Sequence, residues 1–154
     1  MKPKKLNFIP IEAPRLLETA LGFMQSGRLA ISVNGLTYLD INDKYIHQLF
    51  PLLPNSDGKI IKPDYFGENK MGAHISVIYP EENETAAEED LDVEHHFKIL
   101  GVFSADLNLK RYYVLGIESE SLDKLRKKYK LSEKLMFKDH LTDFHITVGV
   151  SYLL

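Results

Sequence analysis

Two short stretches of this 154-residue chain carry the residue types of acid–base chemistry in the same order. Residues 72–80 read GAHISVIYP and residues 143–151 read DFHITVGVS. Each sets a histidine, an isoleucine, a hydroxyl residue and a valine in succession: His74-Ile75-Ser76-Val77 and His145-Ile146-Thr147-Val148. Side chains alternate between the two faces of a β-strand. On a strand, His74 and Ser76 share one face and Ile75 and Val77 the other, and His145 and Thr147 stand likewise against Ile146 and Val148. Two such strands brought together line one groove with two imidazoles and two hydroxyls. Histidine titrates near neutral pH, so a neutral ring can take a proton from an attacking oxygen while a protonated one gives a proton to a leaving oxygen. Hydroxyls can donate to non-bridging phosphate oxygens, where charge concentrates. The set suits phosphodiester cleavage with no metal or other cofactor.

The elements that must position these residues repeat. Residues 14–26 predict a helix, with Leu16, Leu17, Ala20, Leu21 and Met24 on one face, Pro14 in the first turn and Gly27 at the stop. A strand over 28–33, a turn at Asn34-Gly35 and a returning strand over 36–41 follow. A short helix capped by Asn42 or Asp43 runs to Phe50, with Ile46, Leu49 and Phe50 inward. A long loop over 54–72 leads to the strand of His74. The order then starts again. There is a strand over 96–107, bent at Gly101, then a turn and a returning strand over 111–119. A helix capped by Ser119 or Ser121 runs to Tyr129, with Leu122, Leu125 and Tyr129 inward and Lys124, Arg126, Lys127, Lys128 and Lys130 on a solvated face. A loop over 131–143 leads to the strand of His145. The similarity lies in the order of elements; only the last strands match residue for residue.

This order predicts an α+β fold formed as a single bilobal domain over residues 1–154. Lobe 1 spans about 1–80, an acidic linker about 81–94 and lobe 2 about 95–154. Residues 81–94 hold eight acidic residues and no basic one, which leaves 14 acidic against 19 basic residues elsewhere. The body is therefore mildly basic and suited to an anionic ligand, but not to a long nucleic-acid footprint. No apolar run nears the roughly 18 residues of a membrane span. The basic N-terminus is not followed by a signal-peptide apolar region. With no cysteine, disulfides and thiolate chemistry are excluded, and an intracellular, cytoplasmic location fits.

The segments Ala73-His74-Ile75-Ser76-Val77 and Phe144-His145-Ile146-Thr147-Val148-Gly149 resemble the paired H-x-[ST] motifs of the two-histidine (2H) phosphoesterase superfamily. The separation of 71 residues between the histidines is similar to that family's, and serine stands at 76 where threonine is commoner there. The resemblance implies a bilobal α+β fold with antiparallel sheets around a central groove. It implies His74 and His145 as acid and base, and Ser76 and Thr147 on the phosphate. It also implies a small nucleotide or an RNA end with a cyclic or 2′-linked phosphate as substrate. Two rival readings use the same groove: a module that holds an RNA end or phosphorylated ligand without turnover, and an RNA-processing or ligating activity. Two proton-transfer groups favour catalysis over mere binding.

Other residues invite weaker readings. His95 and His96 are adjacent on a predicted strand and point to opposite faces, so they do not chelate one ion easily. His47 reads as a boundary residue on its helix. Lys138 and His140 are within reach of the groove, although solvent exposure suits them better. Tyr79, Tyr112 and Tyr113 are candidate base-stacking platforms, with the strand core as the plainer alternative. The chain has neither a glycine-rich phosphate loop, nor a zinc signature, nor a Gly-x-Ser-x-Gly elbow.

Overall fold

The computed structural model describes residues 3–153, which form eleven strands and three α-helices. In chain order these are β1 (Lys4–Lys5), β2 (Ile9–Pro10), α1 (Pro14–Leu21), β3 (Ser26–Ile31), β4 (Thr37–Asp40), α2 (Lys44–His47) and β5 (His74–Ile78), followed by β6 (Glu94–His96), β7 (Lys98–Leu107), β8 (Lys110–Glu118), α3 (Glu120–Lys128), β9 (Leu135–Phe137), β10 (His140–Thr142) and β11 (His145–Tyr152).

Where antiparallel sheets around a groove were expected, the two halves share a single eight-stranded antiparallel sheet in the order β2-β7-β8-β11-β5-β4-β3-β6. The two repeated units, β3-β4-α2-β5 and β7-β8-α3-β11, are joined edge to edge by their last strands. Strands β5 and β11 meet at one ladder position, Ile75 opposite Ile146. Farther along β11 the place of β5 is taken by the long loop, where Ile61 and Val150 exchange both backbone hydrogen bonds at 2.8 and 2.9 Å. Gly149 makes this possible, since a Cβ there would come within 2.7 Å of Leu53 and 2.8 Å of Ile60. The loop therefore fills the wedge between the two halves, and its remainder is carried back toward the start of β5.

The core is continuous across the join. Leu39, Ile75, Leu115 and Ile146 are fully buried in the sheet, and Leu16, Ile46 and Leu122 bury one residue from each helix against it. Several boundaries differ from the sequence expectation. Helix α1 stops at Leu21, so Leu21 and Met24 are exposed, and Gly27 belongs to β3. A Cβ at Gly27 would lie 2.3 Å from the Asp40 carbonyl oxygen, so this glycine permits close approach of β4 rather than ending a helix. Ser119 caps α3 as expected, its Oγ accepting from the Leu122 N–H. The loop over 131–143 contains β9 and β10, which form a second, three-stranded sheet in the order β1-β10-β9.

The acidic run is mostly exposed, yet it is structured. It makes 3-10 turns at Pro80–Glu82 and Glu88–Asp90, and its last residue begins β6, which pairs with β3 of the first half. The Glu82 side chain is buried and holds Arg126, at 2.6 Å from Nη2. Arg126 is 1% exposed, so it leaves the solvated face assigned to its helix. Its guanidinium also donates to the carbonyls of Val77, Ser132 and Lys134. A buried guanidinium is tolerated when its donors are used in this way. No helix among the described residues is long and apolar enough to cross a membrane.

Candidate active site

The register at the join sets the chemistry. With Ile75 opposite Ile146 in an antiparallel pair, His74 stands across from Thr147, and Ser76 across from His145. Directly opposed residues project to the same face. The four side chains thus form a square. The two histidines lie on one diagonal and the two hydroxyls on the other. All four line one cavity of about 230 Å³.

Each imidazole is fixed in the same way. His74 Nδ1 lies 2.8 Å from the carbonyl oxygen of Gly72, and His145 Nδ1 lies 2.8 Å from that of Asp143. A carbonyl only accepts, so Nδ1 carries the proton in both rings and donates it. Nε2 is then the nitrogen left for a ligand: a lone pair when the ring is neutral, a donor when it is charged. In each half the acceptor is the residue two positions before the histidine.

The supports differ between the halves. Gly72 has φ +70°, and a Cβ there would lie 2.4 Å from Asp43 Oδ1, which accepts from the Ala73 N–H at 3.0 Å. A residue with a side chain would be strained at this φ and would also displace that carboxylate. Asp143 is held through its own side chain by Lys134, and by Lys5 at 3.7 Å. The rings around the imidazoles are aromatic. Tyr65 lies 4.7 Å from His74 between ring centroids, Tyr38 lies edge-on to it at 5.7 Å, and Phe8 lies edge-on to His145 at 5.7 Å. Phe8 in turn rests on Phe103, whose ring occupies the space that a Cβ on Gly116, the β8 partner of His145, would need.

Burial pushes both histidines below the ordinary histidine pKa, as expected when a charged ring must be desolvated. The carbonyl hydrogen bonds oppose this shift in both rings. For His74 the nearby His145 adds to the lowering, whereas the Asp143 carboxylate opposes it for His145.

Two tyrosines close the cavity. The hydroxyl of Tyr65 lies beside Thr147 and that of Tyr79 beside Ser76, and burial raises both phenols, Tyr65 to about 12. Tyr79 stacks on Phe137 at 4.7 Å. Of the three tyrosines singled out in the sequence, Tyr79 and Tyr112 line the cavity, while Tyr113 bonds Ser151 elsewhere. Tyr65, Phe8 and Phe137 were not legible as site residues. They come from the long loop, the N-terminal segment and a strand inside a predicted loop, and only their aromatic character marked them.

The remaining candidates stand apart. His95 is buried with Nδ1 2.8 Å from Ser121 Oγ, and His96 is exposed beside Glu94, so the pair does point to opposite sides. His47 is exposed against Phe66, and His140 bonds the Lys138 carbonyl outside the cavity. Among the described residues no group of three His, Cys, Asp or Glu side chains converges as a metal-binding set.

A family model described as "Swiss Army Knife, 2H phosphoesterase domain" matches residues 37–153, which include both motifs. No curated protein and no solved structure matches the chain.

Proposed function

The chain belongs to the 2H phosphoesterase family, and from that premise we propose that it is a metal-independent phosphodiesterase acting on a cyclic phosphate or a short 2′-linked nucleotide. The phosphate sits over the square of His74, Ser76, His145 and Thr147. One imidazole, neutral, accepts a proton at Nε2 from the attacking water. The other, charged, gives its Nε2 proton to the leaving ribose oxygen. A P–O bond to water forms as the P–O bond to the leaving oxygen breaks, yielding a phosphomonoester and a free hydroxyl. The two rings end with exchanged protonation states, which solvent resets. Ser76 and Thr147 donate to the non-bridging oxygens.

The observation that carries this reading is the matched anchoring of the two rings, each Nδ1 donating at 2.8 Å to the carbonyl two residues before it. Both Nε2 atoms are thereby left to one cavity. A volume of about 230 Å³ suits a phosphodiester of mononucleotide size rather than a long strand. In the same reading the two repeated units are halves of one bilobal domain, with the groove at their join.

The test is a panel of nucleoside 2′,3′-cyclic phosphates, ADP-ribose cyclic phosphate and 2′-5′ oligonucleotides, assayed with the wild-type protein and with His74→Ala and His145→Ala. Turnover of at least one substrate that both variants lose supports the proposal. Wild-type inactivity on the whole panel, or turnover that survives both substitutions, contradicts it.

A further inference from the structure

We propose that Tyr65 and Tyr79 are further substrate-binding residues of this site, each joining one motif hydroxyl to hold one non-bridging oxygen of the phosphodiester. The inference rests on the phosphodiesterase reading and extends it to residues outside the two motifs.

The geometry of the square leads there. In-line displacement at phosphorus puts the attacking and leaving oxygens at opposite ends and leaves the two non-bridging oxygens around the middle. The histidine diagonal serves the ends. The other diagonal, Ser76 to Thr147, must serve the non-bridging oxygens, one at each corner. A serine or threonine hydroxyl has one proton to give. Each corner holds a second hydroxyl. Tyr79 stands beside Ser76, and Tyr65 stands beside Thr147. Both tyrosines line the cavity with the four motif residues. Tyr79 is 7% exposed, so its hydroxyl is placed by packing against Phe137 and is not turned out to water.

The duplication makes this pairing informative. Tyr79 is the third residue after Ser76 on the same chain segment, whereas Tyr65 comes from the long loop. The second half has no tyrosine three residues after Thr147, where Val150 stands and pairs with that loop. The loop that fills the wedge at Val150 thus supplies, from a different chain segment, the hydroxyl that the second motif lacks. Burial keeps both phenols protonated at neutral pH, so each remains a donor. Four neutral donors and one protonated imidazole match the single negative charge of a phosphodiester.

The test replaces each hydroxyl alone, with Tyr65→Phe and Tyr79→Phe, and reads kcat/KM on uridine 2′,3′-cyclic phosphate and on its Rp and Sp phosphorothioates. Sulfur accepts hydrogen bonds poorly, so each diastereomer reports the donors on one oxygen. Each variant is expected to lose roughly 10–100-fold in kcat/KM on the oxygen substrate, the size of a hydrogen bond to a charged group. Each should also shrink the thio effect of one diastereomer by about threefold or more, and the two variants should affect opposite diastereomers. Structural damage would depress all three substrates together. Retention of kcat/KM within about twofold in both variants, or an equal loss on both diastereomers, overturns the proposal.

If the wild-type protein hydrolyses none of these substrates, the phosphodiesterase reading fails separately. The tyrosines are then decided by titration calorimetry with uridine 2′,3′-cyclic phosphate. Both variants must weaken Kd at least about fivefold, a modest part of a charged hydrogen bond. An unchanged Kd, or no binding to the wild-type protein, overturns the assignment. Thermal unfolding controls for packing, and if Tyr79→Phe does not fold, the loop residue variant Tyr65→Phe carries the test alone.

Discussion

Ile75 and Ile146 are register partners across the join between the two halves of the sheet, and that one pairing fixes His74 opposite Thr147 and Ser76 opposite His145. Both isoleucines are fully buried on the face away from the groove. The apolar residues of the two motifs therefore set the positions of the polar ones. A slip of one residue would turn every motif side chain to the wrong face. Ile146→Ala should cost about 2–5 kcal/mol in stability through the cavity it leaves. It should also reduce kcat by loosening the square, read as a lower melting temperature together with a lower kcat at a temperature where the variant is folded. Unchanged kcat in the folded variant would separate the pairing from the site.

The motif residues should rank by role. His74→Ala and His145→Ala should each lose on the order of 10²–10⁴ in turnover, as removal of a general acid or base does. Ser76→Ala and Thr147→Val should lose less, with part of the loss in KM. Steady-state kinetics on the active substrate measures this order. Hydroxyl variants poorer than the histidine variants would reverse the assigned roles.

Gly72 should tolerate no side chain. At φ +70°, with Asp43 Oδ1 in the space of a Cβ, Gly72→Ala must move the carboxylate, the backbone or both. The carbonyl that anchors His74 belongs to this residue. A loss of about 1–3 kcal/mol is expected, with a fall of roughly 2–4 °C in melting temperature for each kcal/mol. Activity should fall further than stability accounts for, since the ring loses its anchor.

Removing one partner of the Arg126–Glu82 pair should be strongly destabilising. Breaking a buried ion pair by removing one partner costs about 3–5 kcal/mol. Arg126→Met should therefore lower the melting temperature by roughly 6–20 °C. Glu82→Leu added to Arg126→Met should restore part of the loss, because the uncompensated carboxylate is removed. A melting temperature unchanged in Arg126→Met would show the pair to be dispensable.

Stability should also depend on pH in a stated direction. His74, His95 and His145 all have folded pKa values below the ordinary histidine value, mainly through burial. As pH falls through about 6.5, the unfolded chain takes up protons that the folded one refuses. These three groups therefore favour folding fully above that value and progressively less as the pH drops toward their folded pKa values. Melting temperature should fall on acidification from pH 7.5 to 5.5, and the slope should be smaller in His95→Gln. A slope unaffected by His95→Gln would assign the dependence to other groups.

The motif strands were legible because their alternation is strict and each is written out whole in a few residues. The hairpins and the Ser119 cap were legible for the same local reason. What could not be read depended on contacts distant in sequence. Arg126 looks solvated among its lysine neighbours until Glu82 and three carbonyls meet it. The charge pattern of the acidic run gives no sign that the Glu82 side chain is buried or that Glu94 opens the strand that pairs with β3. Leu6 and Phe8 enter the cavity from a segment without periodicity, held by short pairings with β10 and β7. Tyr65 is placed by a loop whose seat is the space beside Gly149, a close approach with no local signature.

The measurement that bears most directly on two-histidine catalysis is kcat/KM against pH on the best panel substrate, with and without EDTA, for the wild-type protein and each single histidine variant. One ring must be neutral and the other charged, so the wild-type profile should be a bell bounded by two macroscopic pKa values. Because burial lowers both rings, its maximum should lie on the acid side of about 6.5. The bell should persist in EDTA, and each of His74→Ala and His145→Ala should abolish a different limb of the residual rate. Activity removed by EDTA and restored by a divalent ion, or a bell unchanged in either variant, would contradict it.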